Sequence, residues 1–438
     1  MKPYVWAMMI TAGPAVAMDL PPPLTDADFL PVSKAEVALG QLLFYDPILS
    51  GNREVACATC HHPKHGTGDG LSLSLGDGGI GLGPDRRVDP DNPPEQRVPR
   101  NAQSLFNLGF AGYTALFHDG RIEEDPARPG GLRTPLDEEM VQGFASLVSA
   151  QTMFPVLSPD EMAGHYSESE IAKAVRLGTL TEEGGAWDLI ARRVASIPAY
   201  ADAFSATYPD IKTPEDIRFT DISNAIAAFM EFEWRSDSAP FDAVLRGEAE
   251  FTAEQAAGAE LFFGTAGCAT CHSGPLLTDF GFHAMGQPQL GPGKGARFET
   301  HARDEGRFRV TGNPADLYAF RTPSLRNVAQ TGPWGHAGAY ADLAAFVAAH
   351  TDPVAALANY DRSQVILPEM AVRDWRIMDD PAEVAAIAAA VTTPPVALSD
   401  VDIAALVVFL DSLTDPAAID GRLGVPESVP SGLRVPNP

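Results

Sequence analysis

Cys57-Ala58-Thr59-Cys60-His61 and Cys268-Ala269-Thr270-Cys271-His272 are identical pentapeptides. Cys-x-x-Cys-His is the spacing at which two thiols add across the vinyl groups of one c-type haem while the adjacent imidazole takes the iron. Two intervening residues make one short helical turn, which presents both sulfurs and the ring to one macrocycle. The chain has four cysteines and the motifs use all of them, so no thiol remains for a disulfide. A zinc site built from the two Cys pairs, or a thioredoxin-like redox pair, is the competing chemistry. A zinc knuckle does not require His after each second Cys, and no β-α-β pattern surrounds either motif. The residues therefore point to two covalently bound c-type haems. Cys57, Cys60, Cys268 and Cys271 are the attachment points, and His61 and His272 are the proximal ligands.

The elements that must position these motifs read as two copies of one plan. Ser33-x-x-Glu36 forms a helix-capping pattern before Leu39, Gly40, Leu42, Leu43 and Phe44, and Thr252-x-x-Gln255 repeats it before Gly258, Leu261 and Phe262. Their i, i+3, i+4 spacing gives each helix one apolar stripe leading into a motif. Downstream, Arg100 to Leu105 echoes Arg321 to Leu325, and each run precedes a Gly-rich turn with one histidine, His118 or His336. Amphipathic helices around Ile222 to Trp234 and Val401 to Leu413 close the two halves. The expected fold is mostly α, with two cytochrome-c-like haem domains related by internal repeat. Residues 18–240 form the first and 241–424 the second. Loop segments at 76–99 and 235–247, an insertion at 352–395 and an extended Pro-rich tail at 425–438 complete the chain.

Residues 1–17 combine a basic start, the apolar run Val5 to Ile10 and a small-x-small site at Ala15-Val16-Ala17. This is the pattern of a secretory signal, and it predicts a periplasmic protein. No other segment approaches spanning length, so stable membrane insertion is not expected. The formal net charge of −27 argues against nucleic acid and anionic surfaces as partners. It would suit a basic electron-donor protein.

The run Leu39-Gly40-Gln41-Leu42-Leu43-Phe44-Tyr45-Asp46-Pro47, with Leu49 to Asn52, resembles the bacterial di-haem cytochrome c peroxidases and their MauG-like relatives. So do Phe117-His118-Asp119-Gly120-Arg121, Gly306-Arg307-Phe308 and Arg321 to Val328. The resemblance implies that hydrogen peroxide reacts at the N-terminal haem and that the C-terminal haem transfers electrons. It aligns the family's Asn-Pro-x-Glu-Met segment with Pro135 to Met140. That makes Glu139 the candidate acid–base residue, with Glu138 its close competitor. It also implies a calcium ion between the domains, held by the Asn101 side chain and the carbonyls of Thr331 and Pro333.

Three departures from the pattern carry expectations of their own. Many of these peroxidases place a distal histidine after the first motif, but residues 66–100 contain no His, Met or Tyr. His62 and His65 lie too close to the proximal ligand to reach the opposite face, so the first iron should be open. Where relatives have Met or Tyr as the second haem's distal ligand, this chain has His350; bis-histidine ligation should lower the potential. The tryptophan usual between the haems is His118 here. His118 is therefore a catalytic candidate, with Trp334 as a substitute charge relay or a packed interface residue. The expected partner is a small c-type cytochrome or cupredoxin, or alternatively a protein substrate modified in the MauG manner; a homodimer is left open. A non-enzymatic di-haem electron carrier is the remaining alternative.

Overall fold

The computed structural model describes residues 18–140, 142–295 and 299–437. The expected signal segment, 1–17, lies outside the described residues. Helices dominate, and the described strands are only two or three residues long. This agrees with the scarcity of alternating patterns in the sequence.

In the first half, helix Lys34–Tyr45 crosses helix Phe219–Glu233. The Ser33 hydroxyl caps the former by accepting from Glu36 N at 3.1 Å. Gly40 sits at the crossing, where a Cβ would overlap the Ala225 carbonyl oxygen. One turn further along each helix, Phe44 and Phe229 meet at 5.3 Å between centroids. The same contact pattern occurs in the second half, where helix Ala253–Glu260 crosses helix Asp400–Asp411. Thr252 and Gln255 form a reciprocal capping box there. Gly258 meets Ala405, and Phe262 meets Phe409 at 5.0 Å. Replacing either glycine with alanine gains about 1 kcal/mol of helix propensity. Overlap with backbone cannot be relieved by a rotamer, however, so the helices must part. Gly40→Ala and Gly258→Ala should each lower unfolding free energy by about 1–3 kcal/mol, read by chemical denaturation.

The segments between these helix pairs are better anchored than their composition suggests. In the 76–99 loop, Arg86 donates to the carbonyls of Leu75, Gly76 and Gly81. Arg97 reaches into the insertion, pairing with Asp374 at 2.9 Å and Pro368 O at 2.7 Å. The joint near 240 is a short helix, Pro240–Leu245, fixed by a fully buried Asp242–Arg326 pair at 2.7 Å. The tail is extended along the surface as expected, and it is anchored. Val429 joins the first half's apolar core, and Ser431 Oγ donates to Asp46 at 2.6 Å. Gly424 and Leu423 donate backbone N–H groups to the buried Glu233, each at 2.8 Å. The tail is therefore a strap from the second half onto the first, and it satisfies two buried carboxylates.

Candidate haem cavity and redox site

Each motif is folded by the same local bonds. Helical turn Cys57–Cys60 ends with His61 N donating to Cys57 O at 2.9 Å; His272 N donates to Cys268 O at the same distance. The His61 Nδ1 then donates to Thr67 O at 3.0 Å and the His272 Nδ1 to Leu277 O at 3.1 Å. A carbonyl can only accept, so the proton sits on Nδ1 and the Nε2 lone pair is free for a metal. Burial lowers the pKa of both rings, that of His272 to about 4, which keeps them in the neutral form a metal needs.

Both motifs open onto one continuous, largely apolar cavity that runs from Cys57, Cys60 and His61 to Cys268, Cys271 and His272. The donor set and the space fit two macrocycles. Among the described residues, the only cluster of three or more potential metal-ligating His, Cys, Asp or Glu side chains is Cys271, Asp279 and His283. The two Cys pairs therefore do not converge on a zinc centre.

On the second motif's side, helix Leu343–Thr351 brings His350 to the cavity wall. Its Nδ1 donates to Phe346 O at 2.8 Å, and its ring stands edge-on to Phe346 at 4.6 Å. This again leaves Nε2 free. His350 and His272 lie close enough that the charge of one would depress the pKa of the other. Thr393, Pro394, Val396 and Leu398 complete this wall, so the end of the insertion belongs to the haem pocket.

On the first motif's side Glu139, the expected acid–base residue, does not line the cavity. Glu139 is exposed and lines a separate surface pocket, where Thr181 Oγ1 donates to it at 3.3 Å. The carboxyl on the His61 cavity is that of Glu161. Its turn, Pro159–Ala163, is held by Asp77 N donating to Glu161 O at 3.0 Å and by Gly51 N donating to Met162 O at 2.7 Å. Only glycine fits at position 76, since a Cβ there would overlap the carbonyls of Asp160 and Glu161. The Glu161 carboxyl has no hydrogen-bond partner among the described residues, and Glu161 lines the cavity. Burial raises its pKa, with Lys294 and Arg121 pulling it down less strongly. The missed signal was in plain view: Pro159-Asp160-Glu161-Met162 matches Pro-x-Glu-Met without the two extra residues of Pro135 to Met140.

Neither His62 nor His65 lines the cavity. His62 is buried beside its own turn, its Nδ1 accepting from Lys64 N at 3.2 Å, and His65 packs against Gly83. Between the two motifs lie His118 and His336, both on the cavity wall. His336 stacks on Phe320 at 3.9 Å, and neither of its nitrogens has a partner among the described residues. Burial, then Arg100 and His336, hold the His118 pKa well below its usual value, so this ring is a neutral imidazole. Arg100 itself binds Asp304 bidentately, at 2.7 and 2.8 Å, and Asp119 at 2.8 Å. This buried ion-pair network joins the two halves.

Residues 34–250 match the family model described as di-haem cytochrome c peroxidase. The methylamine utilization protein MauG of Methylorubrum extorquens is 31% identical over 319 residues, 72% of this chain and 68% of that one. Cytochrome-c peroxidase IdrP1 of Denitromonas iodatirespirans is 31% identical over 376 residues, 78% of this chain and 81% of that one. The chain belongs to the di-haem cytochrome c peroxidase family. Among solved structures, a MauG-like protein associated with microbial copper homeostasis aligns at a TM-score of 0.58 and 26% identity, covering 94% of this chain and 97% of that one.

The calcium ligands implied by the resemblance share one cavity. Asn101, Thr331 and Pro333 all line the same cavity. The Asn101 amide donates to Leu71 O at 2.8 Å, which turns Oδ1 away as an available acceptor. Trp334 also lines the cavity, and its indole N–H donates to Val328 O at 2.9 Å.

Proposed function

We propose that this protein is a periplasmic enzyme that reduces hydrogen peroxide on the His61 side of its cavity and takes the electrons in through the His272/His350 side. In this reading the two halves are copies of one haem-binding plan that have diverged in what faces the macrocycle. Haem bound at the two motifs supplies the redox chemistry. The chain's own residues hold it, orient peroxide and move protons. Glu161 takes a proton from the near peroxide oxygen and returns it to the far one, so that the O–O bond breaks with water leaving. Two electrons from a reduced small cytochrome or cupredoxin, with two protons, balance the conversion of one peroxide to two waters. His118 stays neutral and neither donates nor accepts the proton.

The observation that carries this reading is the unpartnered Glu161 carboxyl on a side of the cavity that His62 and His65 do not enter. A calcium ion at Asn101, Thr331 and Pro333 is part of the proposal, as a clamp between the halves. A second reading, peroxide-dependent oxidation of a partner protein's side chains, is favoured by His350 standing where electron-accepting peroxidases use methionine.

Stopped-flow mixing of the ferric holoprotein with peroxide, with and without a reduced c-type cytochrome, separates the readings. Rapid multiple-turnover oxidation of the cytochrome is the expected result. A fast reaction followed by a long-lived oxidised protein that ignores the cytochrome would favour protein modification. Failure of the ferric protein to react would leave only an electron carrier.

A further inference from the structure

The carbonyls that hold the two proximal histidines come from residues in the same uncommon conformation. Thr67, which accepts from His61 Nδ1, has a φ of 64°, and Leu277, which accepts from His272 Nδ1, has a φ of 54°. Neither is glycine, so the left-handed backbone is strained at both positions and persists only where neighbouring contacts hold it. Both residues are fully buried. What holds them differs between the halves.

In the second half the restraint comes from a backbone carbonyl and from apolar packing. Ser324 Oγ donates to Leu276 O at 2.8 Å, and Leu325 N donates to the same oxygen at 3.3 Å. The Leu277 side chain sits in that half's apolar cluster. The matching run of the first half, Ser104-Leu105, meets a hydroxyl instead. Leu105 N donates to Thr67 Oγ1 at 2.8 Å, and Thr67 Oγ1 donates to Ser104 Oγ at 3.4 Å. Leu105 is buried, so its N–H depends on that oxygen. The run is itself tied to the second half, since Asn101 N donates to His336 O at 2.9 Å. Gly66, directly before Thr67, also packs on the second half, where a Cβ would overlap the Gln330 carbonyl oxygen.

We infer that Thr67 is the positioning residue of the His61 iron ligand: its hydroxyl fastens the carbonyl that orients the imidazole to a segment held by the second half. The His272 ligand has no such dependence on a side-chain oxygen. A hydrogen bond from Nδ1–H to a firm acceptor makes a ligating imidazole more basic and favours ferric iron. Without the hydroxyl, the buried Leu105 N–H loses its acceptor, the left-handed turn relaxes and the bond from His61 weakens. This holds whether the first haem reduces peroxide or only carries electrons.

Redox titration of the holoprotein, followed by visible absorbance, reads the two haems as two one-electron steps. Thr67→Val keeps the β-branching and the size but removes the hydroxyl. It should shift one ferric/ferrous equilibrium about tenfold toward ferrous, a rise of about 59 mV for one electron, and leave the other step in place. Thr67→Ala, which lacks the hydroxyl but opens space instead of filling it, should show the same single shift. Thr67→Ser, which retains the oxygen, should stay at the wild-type potentials. Unchanged potentials in Thr67→Val and Thr67→Ala would overturn the inference. So would equal movement of both steps, or a Thr67→Ser variant that behaves like Thr67→Val, since either means a general loosening of packing rather than a hydroxyl acting on one ligand.

Discussion

Glu161→Gln should slow the reaction of the ferric holoprotein with hydrogen peroxide by about 10²- to 10⁴-fold, the range of one general acid–base group. The amide keeps the shape and polarity of the side chain but cannot carry a proton between two oxygens. Glu139→Gln should leave the rate at the wild-type value, because that carboxyl lies in a surface pocket outside the cavity. The pH dependence supplies a second signature. Burial raises the Glu161 pKa, and the group must be ionised to take the first proton. The wild-type rate should therefore rise with pH through a value above the ordinary carboxylate range. Glu161→Gln should lack that limb. Loss of peroxide reactivity in Glu139→Gln, with Glu161→Gln unaffected, would restore the original assignment.

His350→Ala should convert one of the two haems, about half of the spectrum, from low-spin to high-spin by removing an axial imidazole. The His350 ring is pre-set for that role, with Nδ1 tied to Phe346 O and Nε2 left open. Added imidazole should return the low-spin signal, which a merely structural defect would not allow. His350→Met should keep the low-spin state and raise the reduction potential of that haem, measured by redox titration. An unchanged spectrum in His350→Ala would remove His350 from the iron.

The comparison of Glu161 with His350 shows what kind of information was readable in the chain. The place of His350 on the cavity wall follows from one short helix with a capping Asp342, a local feature of the sequence. Glu139 and Glu161 each precede a Met within one stretch, so sequence spacing does not separate them; only the fold puts Glu161 on the cavity and Glu139 outside it. The helices fared better: those expected around Ile222 to Trp234 and Val401 to Leu413 occur as Phe219–Glu233 and Asp400–Asp411. Their apolar periodicity is a local property. The tail was less legible, since Pro-rich composition says that a segment is extended but not what it packs against. Its contacts with Asp46 and Glu233 join residues far apart in the chain.

The two Cys-Ala-Thr-Cys-His runs by themselves determined the cofactor chemistry, because attachment and proximal ligation need only five contiguous residues and one turn of helix. The sequence also held the helical plan, through capping residues and apolar spacing that act within a few residues. Only the tertiary structure decided what faces each motif across the cavity. Glu161, Lys294, His118 and His350 come from separate segments, and they line one cavity because two helix pairs, a pinned loop and a buried ion-pair network close around it. In the proposed reading, that space makes two identical motifs chemically unequal.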